Sequence, residues 1–267
     1  MKWIKTFESL TSQKYLEILV NDIIKLMVKR TVLYDIEEKD GLKYLNYING
    51  AYLPYLDISN YDEELQRFIK ETKIGIVPEK NHFARGSYHS QKEMKMIYLD
   101  IPDKFIEKVN NKLENSNLEQ ALFIEFYFQF DSTLLHELQH AWDDWKSNGK
   151  TFFNKKWGRF VDKKKKLVKS DSFSKEESDI NRLYMNLQHE INARFTQTIK
   201  KINFGEVDNL DYYVPIETMI SLEKVLKDFK SNFDGYHMLS PKDKKRIINR
   251  VVLYWRNYKE ELEKKKI

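Results

Sequence analysis

The sequence predicts an α+β fold that is mostly helical, with a small mixed or antiparallel sheet packed on helices. Several long segments carry apolar residues at the 3.6-residue spacing of a helix, whereas residues 73–101 change to the alternating pattern of strands. The chain has 267 residues, of which 41% are hydrophobic and 14% aromatic, which is enough for a full core. We expect one domain over residues 1–267, with its core at about 73–205 and helical additions at 1–72 and 206–267, and two domains are the alternative.

The N-terminal residues predict two helices and a short strand. Residues 11–29 carry an apolar stripe at helical spacing, and residues 31–36 favour a strand. Residues 61–71 predict the second helix, with Asn60 as its cap. The first stripe consists of Leu16, Leu19, Val20, Ile23, Ile24 and Met27.

The middle of the chain predicts the sheet. Residues 73–77, 86–89 and 94–101 read as strands, and proline follows the first and the third. A helix is expected over residues 103–114. Residues 122–130 alternate strictly, which favours a strand, but their many aromatic residues leave a helix as an alternative.

The remaining elements are predicted to be helices. Residues 132–147 form one, with Asp131 or Ser132 at its N-cap, and residues 175–202 form a long one. A further helix is expected over residues 214–229.

The last helix opens at Ser240 and Pro241, because serine is a good N-cap and proline suits the first helical position. Its apolar stripe is interpreted as core. The stripe consists of Ile247, Val251, Tyr254, Trp255, Tyr258 and Leu262.

Two histidines in the helix predicted at 132–147 give the chain its clearest motif. His136 and His140 are four residues apart and therefore share one helix face, one turn apart. Two imidazoles so placed reach one Zn²⁺ at about 2.0–2.1 Å, and Glu137 lies where a carboxylate takes the proton of a zinc-bound water. This His-Glu-x-x-His pattern is the zinc motif of metallopeptidases, and the alternative is an ordinary half-buried helix with two histidines.

A catalytic zinc takes three protein ligands and a water, so a third ligand is needed. A histidine five or six residues past His140 is absent, because Trp145 and Lys146 stand there. The other common solution is a glutamate on a second helix, and Glu190 supplies it, with the small Ala193 on the same face. We therefore predict one zinc ion per chain with this ligand set: His136, His140 and Glu190.

Other polar residues near these positions are less favoured as zinc ligands or as residues that support the ligands. His189 is a rival ligand, but adjacent helical positions diverge by about 100°, so His189 and Glu190 should not both bind one ion. Asp143 and Asp144 lie where a carboxylate can orient an imidazole, and Arg194 could pair with either. The remaining histidines are expected to be ordinary polar residues: His82, His89 and His237.

A strand, then His136-Glu137-Leu138-Gln139-His140, then Glu190-x-x-Ala193 is an order that resembles the gluzincin zinc metallopeptidases. The small ImmA/IrrE-like group and phage-encoded peptidases are the most similar in style. The resemblance covers about residues 86–203. It implies a zincin-like fold in which a substrate peptide lies antiparallel to an edge strand over the zinc, and residues 86–89 are the candidate edge.

The predicted activity is hydrolysis of peptide bonds by a Glu137-activated zinc-bound water, on a protein or peptide substrate. The tetrahedral oxyanion needs a donor, for which Tyr184 and His189 are candidates, and nothing in the sequence chooses among the residues that could serve. Other conceivable donors are Arg194, Tyr212, Tyr213 and His237. The alternatives are a zincin-fold binding or structural protein, for example in a phage particle, and a basic peptidase that acts on nucleic-acid-bound proteins.

The composition limits the kinds of metal site and of binding partner that the chain can have. The chain has no cysteine, so that disulfides and thiolate metal sites are excluded and any metal must use His, Asp or Glu. The net charge of +5 comes from 46 basic and 41 acidic residues, which permits nucleic acid as a partner without requiring it. The lysine run at 163–166 is expected to be a solvated loop or helix face, and its functional alternative is a binding site for an acidic partner or nucleic acid.

No signal peptide or membrane span is expected. The N-terminus lacks a continuous apolar segment, and the longest apolar run, at 121–130, is too short to cross a bilayer. The expected location is therefore the cytoplasm, with a virion or host cytosol if the protein is phage-encoded. The sequence does not predict an oligomeric state.

Overall fold

The structure is a computed structural model, and the fold it describes is mostly helical with small antiparallel sheets. The coarse α+β prediction is therefore confirmed. The described residues are 4–34, 36–39, 42–45, 51–52, 58–71, 75–76, 85–90, 95–100, 104–112, 117–148, 155–168, 174–204 and 221–265. None of the helices described is both long and apolar enough to cross a bilayer.

The chain folds as two compact units. One consists of Met1–Leu10 with Lys150–Ile267, and the other of Thr11–Gly149. The expectation of one domain with a core at about 73–205 stays a prediction.

Helix α1 (Ile4–Tyr34) contributes its apolar residues from Leu16 onward to the core of the unit of residues 11–149. All six apolar residues of the predicted stripe are buried, as expected. The strand predicted at 31–36 is wrong, because α1 continues to Tyr34 and only Ile36 belongs to a strand. Thr31 is 2% exposed and extends the buried face of Met27 and Val28 by one further turn.

The sheet strands pair in three antiparallel two-stranded sheets among the residues described. Strand β1 (Ile36–Lys39) pairs with β2 (Leu42–Leu45), and β3 (Ala51–Tyr52) pairs with β4 (Gly75–Ile76). Strand β5 (Arg85–Ser90) pairs with β6 (Lys95–Asp100), with Tyr88 opposite Ile97. The strands predicted near 73–77, 86–89 and 94–101 are thus confirmed, the first only in part.

Two short helices have the predicted positions with small corrections. Helix α2 (Glu63–Glu71) is capped by Asp62, whose Oδ1 accepts from the Leu65 amide at 2.8 Å, so the cap predicted at Asn60 is wrong. Asp62 also accepts a hydrogen bond from Tyr15, which raises the pKa of that phenol. Helix α3 is Lys104–Lys112.

Helix α4 (Leu118–Lys146) is much longer than the helix predicted at 132–147. Its N-cap is Asn117, whose Oδ1 accepts from the Gln120 amide at 2.8 Å, so the cap predicted at Asp131 or Ser132 is wrong. The strand favoured for 122–130 is wrong as well. Residues four apart lie on one face in both a helix and a strand, so this spacing does not distinguish the two. Residues two apart share a face only in a strand. Phe126 is buried whereas Phe128 is 49% exposed, which fits the helix.

In the other unit, the helices are α5 (Lys155–Val168), α6 (Ser174–Met185), α7 (Gln188–Phe204), α8 (Leu222–Asn232) and α9 (Pro241–Lys265). The long helix predicted at 175–202 is therefore two helices. Of the helix predicted at 214–229, the part up to 220 lies outside the described residues, and the rest is in α8.

The start of α9 follows the prediction. The Asp243 amide donates to Ser240 Oγ at 3.2 Å, and the Ser240 hydroxyl donates to Asp243 Oδ2 at 2.6 Å. On the predicted stripe, Ile247 and Val251 are buried in the core of this unit. Tyr254 and Trp255 pack on that core, whereas the side chains of Tyr258 and Leu262 lie outside the described residues.

Asn186 explains the break between α6 and α7. Its Nδ2 donates to the Arg182 carbonyl at 2.7 Å and to the Met238 carbonyl at 3.0 Å. Its Oδ1 accepts from the Ser240 amide at 2.8 Å. An asparagine that bonds backbone groups in this way competes with helix continuation, and here it ties the start of α7 to the turn before α9.

We expect Gly235→Ala to lower the free energy of unfolding by about 1–2 kcal/mol, because Gly235 has φ +74° and a side chain there strains the backbone. A Cβ would also lie 1.9 Å from the Met185 Cε, although that flexible end can move. The control is Gly158→Ala in α5, where nothing lies within 4 Å, which should stabilise by about 0.5–1 kcal/mol. Urea denaturation measures both, and equal effects at the two glycines would contradict the assigned strain.

Candidate metal centre

His136 and His140 lie one turn apart on α4, with their rings almost perpendicular at 88° and their centroids 4.6 Å apart. Their two Nε2 atoms are 3.1 Å apart. Two nitrogens bound to one tetrahedral zinc at about 2.0–2.1 Å lie about 3.3–3.4 Å apart. The pair is therefore within a few tenths of an ångström of a zinc-binding arrangement, although a hydrogen bond between the rings would have a similar separation.

The core holds this part of α4 in place. Leu134, Leu135 and Leu138 are fully buried, and so is Ala141. Trp142 is 4% exposed and packs edge-on against Phe68 of α2, at 5.0 Å between ring centroids. Because the apolar faces of the helix are fixed, the backbone cannot rotate the imidazoles away from each other without opening the core.

Glu137 is buried, at 7% exposure, immediately after the first histidine of the pair. A buried carboxylate is costly unless it has a polar or charged neighbour. The sequence predicts it as the general base, and its burial beside the histidine pair is compatible with that role.

Glu190 lies in the first turn of α7 and is 2% exposed. The amide groups at a helix N-terminus favour a negative charge there, so the break before α7 is what gives this carboxylate a favourable position. Had the helix predicted at 175–202 been continuous, Glu190 would be in its interior. Ala193, one turn further, is fully buried, as expected for the small residue on this face.

One ligand atom from each of His136, His140 and Glu190 lies within 4.8 Å of the others, and this group could hold a metal ion. Two imidazole nitrogens and one carboxylate oxygen are a donor set that suits catalytic zinc, which leaves a fourth position for water or substrate. The donor set therefore fits the predicted metal.

The rival ligand His189 is buried, at 1% exposure, with its Nε2 3.9 Å from Glu190 Oε1. It is not in the group that could hold a metal ion. Tyr184, the other candidate oxyanion donor, packs its ring on Phe160 at 5.3 Å between centroids. The roles of both residues in catalysis stay predictions.

The charged residues expected to support the ligands have partners within their own units. Arg194 pairs with Glu190 and Asp234. Its expected pairing with Asp143 or Asp144 stays a prediction. Asp143 accepts from Gln139 Nε2 at 2.8 Å.

The fully buried Asp144 accepts a hydrogen bond from the Tyr88 hydroxyl at 2.7 Å. This bond joins β5 to α4 one turn beyond the second histidine. Local sequence patterns do not indicate this role for Tyr88, because the two partners are 56 residues apart in sequence.

The other residues of interest are elsewhere or outside the described part of the chain. His237 is exposed, in the turn before α9. His82 and the side chain of His89 lie outside the described residues, as do Tyr212 and Tyr213. The lysine run lies on α5, where 163–165 are exposed, as a solvated helix face requires.

Comparisons of the chain with protein families, with curated proteins and with solved structures find no match. The case for a function therefore depends on the residues of the site themselves.

Proposed function

We propose that the protein is a zinc metallopeptidase of the gluzincin type, with a zincin-like arrangement around the α4 motif. The observation that carries this proposal is the grouping of His136, His140 and Glu190 within 4.8 Å. The buried Glu137, which follows His136 directly in the chain, would supply the second requirement, a proton acceptor for the attacking water. A purely structural zinc site would have no use for that carboxylate.

In this proposal the two imidazoles and the Glu190 carboxylate hold the ion. When bound, zinc supplies Lewis-acid polarisation of the scissile carbonyl and of the attacking water. The Glu137 carboxylate accepts one proton from that water as its oxygen forms a bond to the carbonyl carbon. Glu137 then passes the proton to the leaving nitrogen as the C–N bond breaks, which gives a carboxylic acid and an amine.

Strand β5 is the proposed docking edge for the substrate. Among the described strands it pairs only with β6, and it contacts α4 directly. An extended peptide added to its open edge would gain backbone hydrogen bonds while lying close to the motif helix. In this arrangement the enzyme would recognise mainly the backbone of the substrate peptide. Pockets that receive every second side chain of the peptide would set the specificity.

We expect the purified protein to contain about one zinc per chain, because the described residues contain one three-residue group of this kind. Removal of zinc with a chelator should abolish hydrolysis of an unfolded protein such as denatured casein, and added zinc should restore it. Metal analysis by mass spectrometry and a gel-based cleavage assay measure the two quantities. Full cleavage by metal-free protein would rule out this proposal.

A further inference from the structure

We propose that Arg194 is a positioning residue that occupies one oxygen of the Glu190 carboxylate, so that Glu190 binds the metal through the other oxygen alone. This inference rests on the proposed function, since it concerns how one of the proposed ligands is held. It concerns a residue for which the sequence predicted other partners.

The geometry around Glu190 distinguishes its two oxygens. Arg194, one turn further along α7, places its Nε 3.8 Å from Oε2. The opposite oxygen, Oε1, faces His189 Nε2 at 3.9 Å. The Glu190 side chain is 3% exposed and the Arg194 side chain 17%, so solvent has little access to either group.

Asp234 fixes the arginine in turn. The Arg194 Nη1 donates to Asp234 Oδ2, so the guanidinium has a carboxylate on two sides. A guanidinium is planar and presents its donors in a rigid fork, which means that holding Nη1 also restricts where Nε can point. Asp234 follows α8 and is 82% exposed, so it reaches Arg194 from the surface.

The burial of the pair argues against a role confined to helix stability. Exposed ion pairs four residues apart stabilise a helix by only about 0.2–0.5 kcal/mol. A carboxylate as buried as Glu190 needs charge compensation whether or not a metal is present, and a guanidinium is permanently charged. A cation that stands 3.8 Å from one oxygen, without a hydrogen bond to it, supplies part of that compensation and disfavours rotation of the carboxylate to chelate an ion with both oxygens.

Cobalt tests this inference directly, because Co²⁺ replaces zinc and its visible absorption is stronger in four-coordinate than in five- or six-coordinate sites. We expect the metal-free full-length protein saturated with Co²⁺ to absorb strongly. In Arg194→Ala the bands should weaken at saturation as Glu190 becomes free to bind through both oxygens. The zinc affinity, measured by competition with a chromophoric chelator, should rise, because a second carboxylate oxygen reaches the ion and a fixed positive charge is removed from its surroundings.

Three further variants separate positioning from packing. Arg194→Lys should restore part of the absorption, and Asp234→Ala should weaken it less than Arg194→Ala does. The matched control is Arg246→Ala, because Arg246 donates from α9 to Gln188 in the same turn of α7 without contacting Glu190. It should leave both spectrum and affinity unchanged.

Each outcome is decisive. An unchanged spectrum and affinity in Arg194→Ala would overturn the positioning role while leaving the metal centre in place, whereas a wild-type protein that binds no Co²⁺ would overturn both. Equal changes in Arg246→Ala would also reject the inference, because they would show a general effect of packing. If Arg194→Ala does not fold, the exposed Asp234 provides the variant that decides, and an unaltered spectrum in Asp234→Ala then overturns the inference.

Discussion

Replacing Glu137 with glutamine should leave zinc bound and slow peptide hydrolysis by about 10²–10⁴-fold, the contribution typical of a general base. Glutamine has nearly the same shape as glutamate, so the buried site should keep its packing. Its amide cannot take a proton from the attacking water. Initial cleavage rates together with zinc content at equal protein concentration measure the effect.

The matched control is Glu125→Gln. Glu125 is also a buried glutamate on α4, at 4% exposure, but lies three turns before the histidine pair. Its replacement removes a buried charge from the same helix without touching the proposed chemistry. Full activity in Glu137→Gln would contradict the assigned base, and so would an equal loss of activity in the control.

Replacing His140 with alanine should remove stoichiometric zinc, because two remaining ligands hold the ion much less well than three. The effect extends to stability. Zinc at 100 times its Kd should raise the free energy of unfolding of the wild-type protein by about 2.7 kcal/mol, and the variant should lose most of this gain. Metal analysis after dialysis and denaturation with and without zinc provide the two measurements.

Two further variants show whether His140→Ala loses zinc because a ligand is missing or because the protein does not fold. Glu190→Gln removes the third ligand with almost no change of volume and should lose zinc in the same way. His237→Ala removes an exposed histidine and should retain a full equivalent of zinc. Retention of zinc by both His140→Ala and Glu190→Gln would show that the ion binds at other residues.

The histidine motif could be predicted from the sequence because its geometry depends on one helix alone. His136 and His140 are held by the 3.6-residue period of one helix, and the structure places their nitrogens 3.1 Å apart, as that period implies. Capping at Ser240 is equally local and was predicted. The extent of α4 was not, because the alternation in residues 122–130 fits a helix and a strand alike until burial is known.

The surroundings of the site depend on contacts between distant residues, which local patterns do not encode. Tyr88 reaches Asp144 across 56 residues, and Asp234 reaches Arg194 across 40. The break before α7 has the same origin, because Asn186 bonds to Met238 and Ser240, more than 50 residues away. Because the sequence does not show these partners of Asn186, its helical pattern predicts one continuous helix over residues 175–202.

The most direct test of the metal centre is a crystal structure of the zinc-loaded protein, with anomalous scattering recorded on both sides of the zinc absorption edge. The account predicts one strong peak per chain, at about 2.0–2.2 Å from a ring nitrogen of His136, a ring nitrogen of His140 and one oxygen of Glu190. A peak at other residues, or one on the two imidazoles with the Glu190 carboxylate beyond bonding distance, would contradict it.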